Sequence, residues 1–278
     1  MKQTIITKTA VKPGKTIAVF GGIHGNEKIG VMLIDKLIQS FEPSSGTVHF
    51  VYGNPRAIEQ NVRCTETNLN RNFIKTQNPI SYEEQRAQEL MELLDGCDAL
   101  LDIHAYNEPD MQLPTFAICE KKSYPVARKL PIPTVISGFN DIQKGSANGY
   151  MENYNKYAVV LELGSVANSE RYLDLAEESA IHFLHHFDVT KREVVSSSKQ
   201  QTFFAVTSVY RRNNTVFNFQ KEYVSFDAVE KGEVIANDGA LALQTARDAK
   251  ILFPRHDASV GSESFWVLEK IHAERKVS

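Results

Sequence analysis

The sequence predicts an α/β protein, a mixed sheet with helices on both faces, followed by a small β-rich domain. Three observations carry this. Apolar runs at Ile17-Ala18-Val19-Phe20 and from Val48 to Tyr52 flank a helical stripe of Ile29, Met32, Leu33 and Leu37, the strand–helix–strand order of a parallel sheet. Two more buried-strand patterns, Ala99 to Ile103 and Ala158 to Leu163, alternate with helical stretches. After Ser196-Ser197-Ser198-Lys199-Gln200-Gln201 the chain changes to short β-rich runs split by turn residues. Two domains are therefore expected, residues 1–195 and 196–278, with the serine-rich stretch as linker.

In chain order, the first strand pattern opens through Gly21-Gly22 into a helix beginning near Glu27, and Gly53-Asn54-Pro55 closes the second as a turn. Residues 54–80 form a long polar stretch; a connection of that length inside a compact domain is usually functional or disordered, and its content of Asn and Arg favours the first. Ser81-Tyr82-Glu83-Glu84 fits a capping box, with Ala87, Leu90, Met91 and Leu94 continuing the helix to Gly96. Thr115 to Cys119 and Thr134 to Ile136 read as shorter strands, and Asn168 to Phe187 as a helix with Tyr172, Ala176, Phe183 and Phe187 on one face. The C-terminal runs lie at Phe203 to Tyr210, Thr215 to Phe219, Glu233 to Ala236, Ile251 to Phe253 and Phe265 to Leu268.

Composition excludes several classes of function. A net charge of −3 over 278 residues gives no basic footprint, so nucleic acid is not expected as a partner. The first residues lack the apolar core of a signal peptide, and no apolar run approaches membrane-spanning length, so neither export nor membrane insertion is expected. Cys64, Cys97 and Cys119 are few, odd in number and unpatterned, which fits reduced thiols and a cytoplasmic protein.

The chemistry centres on Phe20-Gly21-Gly22-Ile23-His24-Gly25-Asn26-Glu27. A strand opening through glycines into a helix is where α/β proteins place their sites. His24 and Glu27 can point to one side, and two-thirds of a His₂Glu zinc set is then present, with a position open for water. Asp102-Ile103-His104 offers the third ligand at a strand end, with Asp102 on the same face to orient the His104 imidazole. One zinc ion per chain is expected on His24, Glu27 and His104. Glu162, inside Val159-Val160-Leu161-Glu162-Leu163-Gly164, is a carboxylate in an apolar run, where desolvation raises its pKa. That suits a shuttle taking a proton from attacking water and passing it to a leaving nitrogen. Arg63 and Arg71 offer guanidinium groups for an anionic substrate and for a developing oxyanion.

Gly22-Ile23-His24-Gly25-Asn26-Glu27, Asn54-Pro55-Arg56-Ala57, Asn68-Leu69-Asn70-Arg71-Asn72-Phe73, Asp102-Ile103-His104 and Glu162-Leu163-Gly164 together resemble the succinylglutamate desuccinylase/aspartoacylase family, a branch of the zinc carboxypeptidase fold. The resemblance implies a zinc-carboxypeptidase-like mixed sheet with a small C-terminal all-β domain. It implies zinc on His24, Glu27 and His104, Glu162 as general base and acid, Arg63 polarising the carbonyl, and Asn70 with Arg71 holding the substrate's α-carboxylate. The implied reaction is hydrolysis of a small anionic N-acyl amino acid. One departure is visible: aspartoacylases carry a further arginine shortly before the base, and between Gly145 and Leu161 this chain has none. Asn148, Tyr150 and Glu152 stand in that stretch, with Tyr150 the candidate for substrate contact. The family's late C-terminal tyrosine is not located by the sequence motifs, and Phe265 is the candidate for that region.

His182 and His186 form an i, i+4 pair without an accompanying carboxylate motif and read as helix C-terminal histidines. Two rivals share these residues: a zinc carboxypeptidase with a more open groove for short peptides, and a non-catalytic relative that only binds a small acid. Self-association into a homo-oligomer is compatible with either.

Overall fold

The computed structural model describes residues 3–108, 115–139, 142, 144–194 and 200–272. The serine-rich stretch expected as a linker lies, up to Lys199, outside these residues. The first half runs β1 (Ile5–Thr9), β2 (Thr16–Gly21), α1 (Lys28–Ser40), β3 (Thr47–Tyr52), α2 (Pro55–Gln60), α3 (Tyr82–Asp95), β4 (Ala99–Tyr106), β5 (Thr115–Ile118), α4 (Tyr124–Ala127) and β6 (Thr134–Ser137). There follow α5 (Ala147–Asn153), β7 (Tyr157–Ser165), α6 (Leu173–His186), β8 (Thr202–Arg211), β9 (Phe217–Phe219), β10 (Ala228–Val229), β11 (Val234–Asp238), β12 (Leu241–Gln244), β13 (Ala249–Leu252) and β14 (Glu263–Ile271).

The main sheet has eleven strands in the order β1-β3-β2-β4-β7-β5-β6-β8-β14-β13-β10, and a three-stranded antiparallel sheet β12-β11-β9 stands beside it. Strands β3, β2, β4 and β7 are parallel, whereas β5 runs antiparallel to β7, so the sheet is mixed as expected. The central strands are buried on both faces and are therefore nearly continuous apolar runs. Ile17, Val19, Leu101, Val159 and Leu161 face α1 and α6, while Ala18, Phe20, Leu100 and Ala158 face α3 and α5. Pairing of β6 with β8 (Thr134 with Thr202 through Ser137 with Ala205) carries the hydrogen-bonded ladder on into the C-terminal strands.

Strand β1 and helices α2 and α5 go beyond the sequence pattern. Helix α2 is six residues long and buries only Ala57, so it carries no apolar stripe; its signals are local, an Asn54 side chain accepting from Ala57 N, Pro55 at the first turn, and Asn61 in the left-handed conformation at the end. The helix expected from Asn168 begins as a 3₁₀ turn, Ser169–Tyr172, before α6. The capping box at Ser81 and Glu84 forms as predicted.

What positions the site is the contact of α1 with the ends of β2 and β4. Gly21 and Gly30 touch backbone to backbone: a Cβ on Gly30 would lie 2.7 Å from Gly21 Cα and 2.9 Å from Ile103 O. Helix propensity alone would favour alanine at residue 30 by about 1 kcal/mol. Overpacking reverses that sign, so Gly30→Ala is expected to lower unfolding stability by about 2 kcal/mol in urea titration; a stabilised variant would show that the close approach is not needed.

Candidate active site

The turn after β2 is fixed from the neighbouring strand. Gly22, at φ +70°, lets the chain reverse, and Gly53 N and Asn54 N donate to Gly21 O and Gly22 O at 2.8 and 2.9 Å. Gly25 N donates to Arg63 O, and a Cβ at Gly25 would overlap the Ala57 backbone. Glu27 caps the start of α1, with its N–H on His24 O, so the His24 and Glu27 side chains emerge together. His104 arrives at the end of β4, the strand next to β2.

The three side chains meet. Glu27 Oε1 lies 2.7 Å from His24 Nδ1, and Glu27 Oε2 lies 2.8 Å from His104 Nδ1. All three residues are buried, and one ligand atom from each falls within 4.8 Å of the others. The outer nitrogens are also held: His104 Nε2 is 2.9 Å from Asp102 Oδ2, and His24 Nε2 is 3.1 Å from Asn68 Oδ1. Asn68 Oδ1 also accepts from Asn70 N, which fixes the amide as an acceptor towards His24. His24 must then donate through Nε2, and its Nδ1 lone pair faces a carboxylate oxygen. With His24 neutral, two lone pairs would face each other at that separation, an arrangement that a metal ion between them would relieve.

The surroundings push the three groups in different directions. Burial works to raise the Glu27 carboxyl, but the His24 and His104 rings hold it far below the usual range. Burial lowers His24, whereas at His104 burial is outweighed by Asp102 and Glu27, which raise the imidazole well above its usual value. An anionic carboxylate between two imidazoles, each oriented from behind, is a donor set that fits a divalent metal of the nitrogen- and oxygen-preferring class.

Glu162 pairs with His104 across β4 and β7 and lines the same cavity. Its Oε2 is buried with no hydrogen-bond partner among the described residues. Burial, helped by the Glu27 and Asp102 charges and opposed by His104 and Arg63, pushes its carboxyl up to about 8. Arg63 Nη1 donates to Glu27 Oε1 at 3.1 Å. Asn70 Oδ1 accepts from Ala147 N, and Arg71 Nη1 donates to Asn70 O, so both side chains are anchored where they line the cavity. The cavity encloses about 770 Å³, within the range of small-molecule sites. Tyr150 is not brought into it: its hydroxyl donates to Asp95 and its ring packs against Tyr154 beneath α5. Phe265 is buried against Tyr210, away from the cavity, and His182 Nδ1 bonds Lys129 O.

Comparison with known proteins follows the same lines. The profile of the succinylglutamate desuccinylase/aspartoacylase catalytic domain matches residues 13–186, well over half of the chain. The chain belongs to the succinylglutamate desuccinylase/aspartoacylase family. By that membership it is a hydrolase of carbon–nitrogen amide bonds. It is 24% identical over 288 residues to a succinylglutamate desuccinylase of Vibrio parahaemolyticus, covering 94% of this chain and 82% of that one. It is 30% identical over 208 residues to an N-acyl-aromatic-L-amino acid amidohydrolase (carboxylate-forming) A of Danio rerio, covering 62% of this chain and 61% of that one. The crystal structure of a Vibrio cholerae succinylglutamate desuccinylase superposes with a TM-score of 0.81 at 22% identity, covering 96% of this chain and 85% of that one.

The long loop that brings Arg63, Asn68, Asn70 and Arg71 to this family site depends on Glu83, which sequence reasoning assigned only to a capping segment. Glu83 is fully buried, and its carboxylate accepts from Thr65 N, Thr65 Oγ1, Glu66 N, Thr67 N and Asn54 Nδ2. The signal was available: Glu83, Ala87, Leu90 and Leu94 share one helical stripe, so an acid stands in the buried register. Ser146, Asn148, Arg255 and Asp257 also line the cavity and were not singled out as site residues. Burial opposes ionisation of Glu83, but the Thr65, Thr67 and Asn54 donors hold its carboxyl down to about 2 from an ordinary 4.5. A depressed folded pKa means stability that is present above pH 4.5 and lost as pH falls towards 2. Glu83→Gln is therefore expected to lose about 2 kcal/mol at neutral pH and to flatten the acid limb of the stability profile; an unchanged profile would remove Glu83 as the loop's tether.

Proposed function

We propose that this chain is a zinc-dependent deacylase that hydrolyses the amide of a small anionic N-acyl amino acid, giving a carboxylate and a free amino acid. The observation that supports it most is the Glu27 carboxylate set between two imidazoles, with Glu162, whose Oε2 has no hydrogen-bond partner among the described residues, on the adjoining strand. One ion per chain on His24, Glu27 and His104, in a set that leaves a coordination position open, would act as a Lewis acid towards the amide carbonyl and acidify the attacking water.

The chain's own residues divide the remaining work. Glu162 takes the proton of the attacking water and delivers it to the leaving nitrogen, a task suited to a carboxyl whose pKa lies near the working pH. Arg63 faces the developing oxyanion as a fixed positive charge. The Asn70 amide and the Arg71 guanidinium bind the α-carboxylate and so set the amide's position relative to Glu162. Asp102 and Asn68 keep the two imidazoles in one tautomer.

The segment from Phe253 to Ser262 lines the same cavity as His24, Glu27 and His104, which favours a small acyl amino acid over a peptide. Residues 196–278 would thus act as a small domain that narrows the site, and three free thiols suit a cytoplasmic setting. Among the described residues no helix is long and apolar enough to cross a membrane.

Glu162→Gln is expected to lower kcat about 10³-fold with zinc content unchanged, and His24→Ala to lose bound zinc. Turnover on a panel of N-acyl amino acids and short peptides, measured beside metal content, checks both. Full zinc in His24→Ala, near-native turnover in Glu162→Gln, or cleavage of the peptides alone would each refute the assignment.

A further inference from the structure

The cavity has more positive charge than one α-carboxylate requires. Arg63, Arg71 and Arg255 all line it. Arg71 is half-buried, and its guanidinium is lowered by burial first and then by the repulsion of Arg63 and Arg255, with Glu263 partly compensating. The carboxylates near the cluster are mostly committed elsewhere. Glu27 lies between His24, His104 and Arg63; Glu108 accepts from Ser225 N and Ser225 Oγ; Glu263 pairs with Arg211 and accepts from Trp266 Nε1. Asp257, on the same loop as Arg255, is exposed and makes no ion pair with it among the described residues. Arg255 likewise has no carboxylate partner among the described residues, so its guanidinium stands at the cavity with its donors available.

The position of Arg255 is built rather than incidental. Phe253 N donates to Ser225 Oγ, and Ser225 is gripped in turn by Glu108, two residues past the end of β4. Arg255 N donates to Ser264 O at 2.7 Å, and Arg212 Nη1 donates to Ala258 O at 2.6 Å. The loop carrying Arg255 is thus tied both to the extension of the strand that bears His104 and to β14. By contrast, the stretch before Glu162 turns Ser146 and Asn148 towards the cavity and offers no guanidinium there.

We infer that Arg255 is a specificity-determining residue that binds a second acidic group of the substrate, beyond the carboxylate held by Asn70 and Arg71. The inference rests on the N-acyl amino acid reading of the same site and narrows it to diacids. The second acid has two sources, the side chain of the amino acid or the far end of the acyl chain, and a planar guanidinium recognises either by paired hydrogen bonds.

Matched pairs that differ only by charge separate these sources. N-acetyl-L-glutamate against N-acetyl-L-glutamine varies the side chain, and N-succinyl-L-glutamine against N-succinamoyl-L-glutamine varies the acyl end. Wild type, Arg255→Gln and Arg255→Lys are compared by KM and kcat. Kd is measured by calorimetry on the zinc-loaded protein carrying Glu162→Gln, alone and combined with each Arg255 change. In one pair, Arg255→Gln is expected to raise KM and Kd of the acid about 10- to 100-fold, leaving the amide within about threefold, with Arg255→Lys intermediate. Equal effects on acid and amide in both pairs, or no effect on any, would overturn the assignment. Should wild type hydrolyse none of these compounds while calorimetry still shows the Arg255-dependent preference, the deacylase reading falls and the diacid site stands.

Discussion

One carboxylate spanning two imidazoles governs this site. Glu27 uses both oxygens at once, towards His24 and towards His104, and also accepts from Arg63 and from Ala105 N. Its position therefore demands that three separate pieces of chain arrive within a few ångströms: the turn after β2, the end of β4 and the loop before α3. The Gly21–Gly30 contact brings α1 close enough for the first two to meet. The donors clustered on Glu83 bring in the third.

Two acids in one cavity are driven apart by their surroundings. Glu27 is surrounded by imidazoles and a guanidinium and stays anionic, as a metal ligand must. Burial in an apolar strand, together with the negative charge of Glu27 and Asp102, pushes the Glu162 carboxyl up to about 8. Divergent pKa values in neighbouring acids fit the proposed division of roles, one to bind and one to transfer protons. The backbone register of β4 and β7 places His104 and Glu162 side by side, so both roles face the same volume.

Much of this was legible in the sequence, because glycine, histidine and acid stood where strand patterns end. His24, Glu27, His104, Glu162, Arg63, Asn70 and Arg71 share the cavity, and Asp102 stands behind His104. Local patterns also gave β2 to β7 and the capping box of α3. Residues whose role depends on contacts across the sequence were harder to read. Tyr150 looked available for substrate because its stretch precedes Glu162, yet helix α5 turns it into the apolar layer against Asp95 and Tyr154. Arg255 stands in an unpatterned loop some ninety residues beyond Glu162, and only the folded β13–β14 connection carries it to the cavity. Glu83 was hidden by its own capping-box neighbours. The short helices α2 and α5 bury too few residues for a period to emerge.

The ladder between β6 and β8 has a further implication for how this architecture tolerates change. Because Thr134–Ser137 hydrogen-bond to the first strand of the C-terminal segment, shortening the chain before residue 202 would strip one whole side of β6 of its partners. The bared strand, Thr-Val-Ile-Ser, is uncharged and mostly β-branched, and its unpaired backbone would be open to strands from other molecules. The C-terminal strands thus shield the catalytic sheet from self-adhesion, a duty separate from any they perform in choosing a substrate.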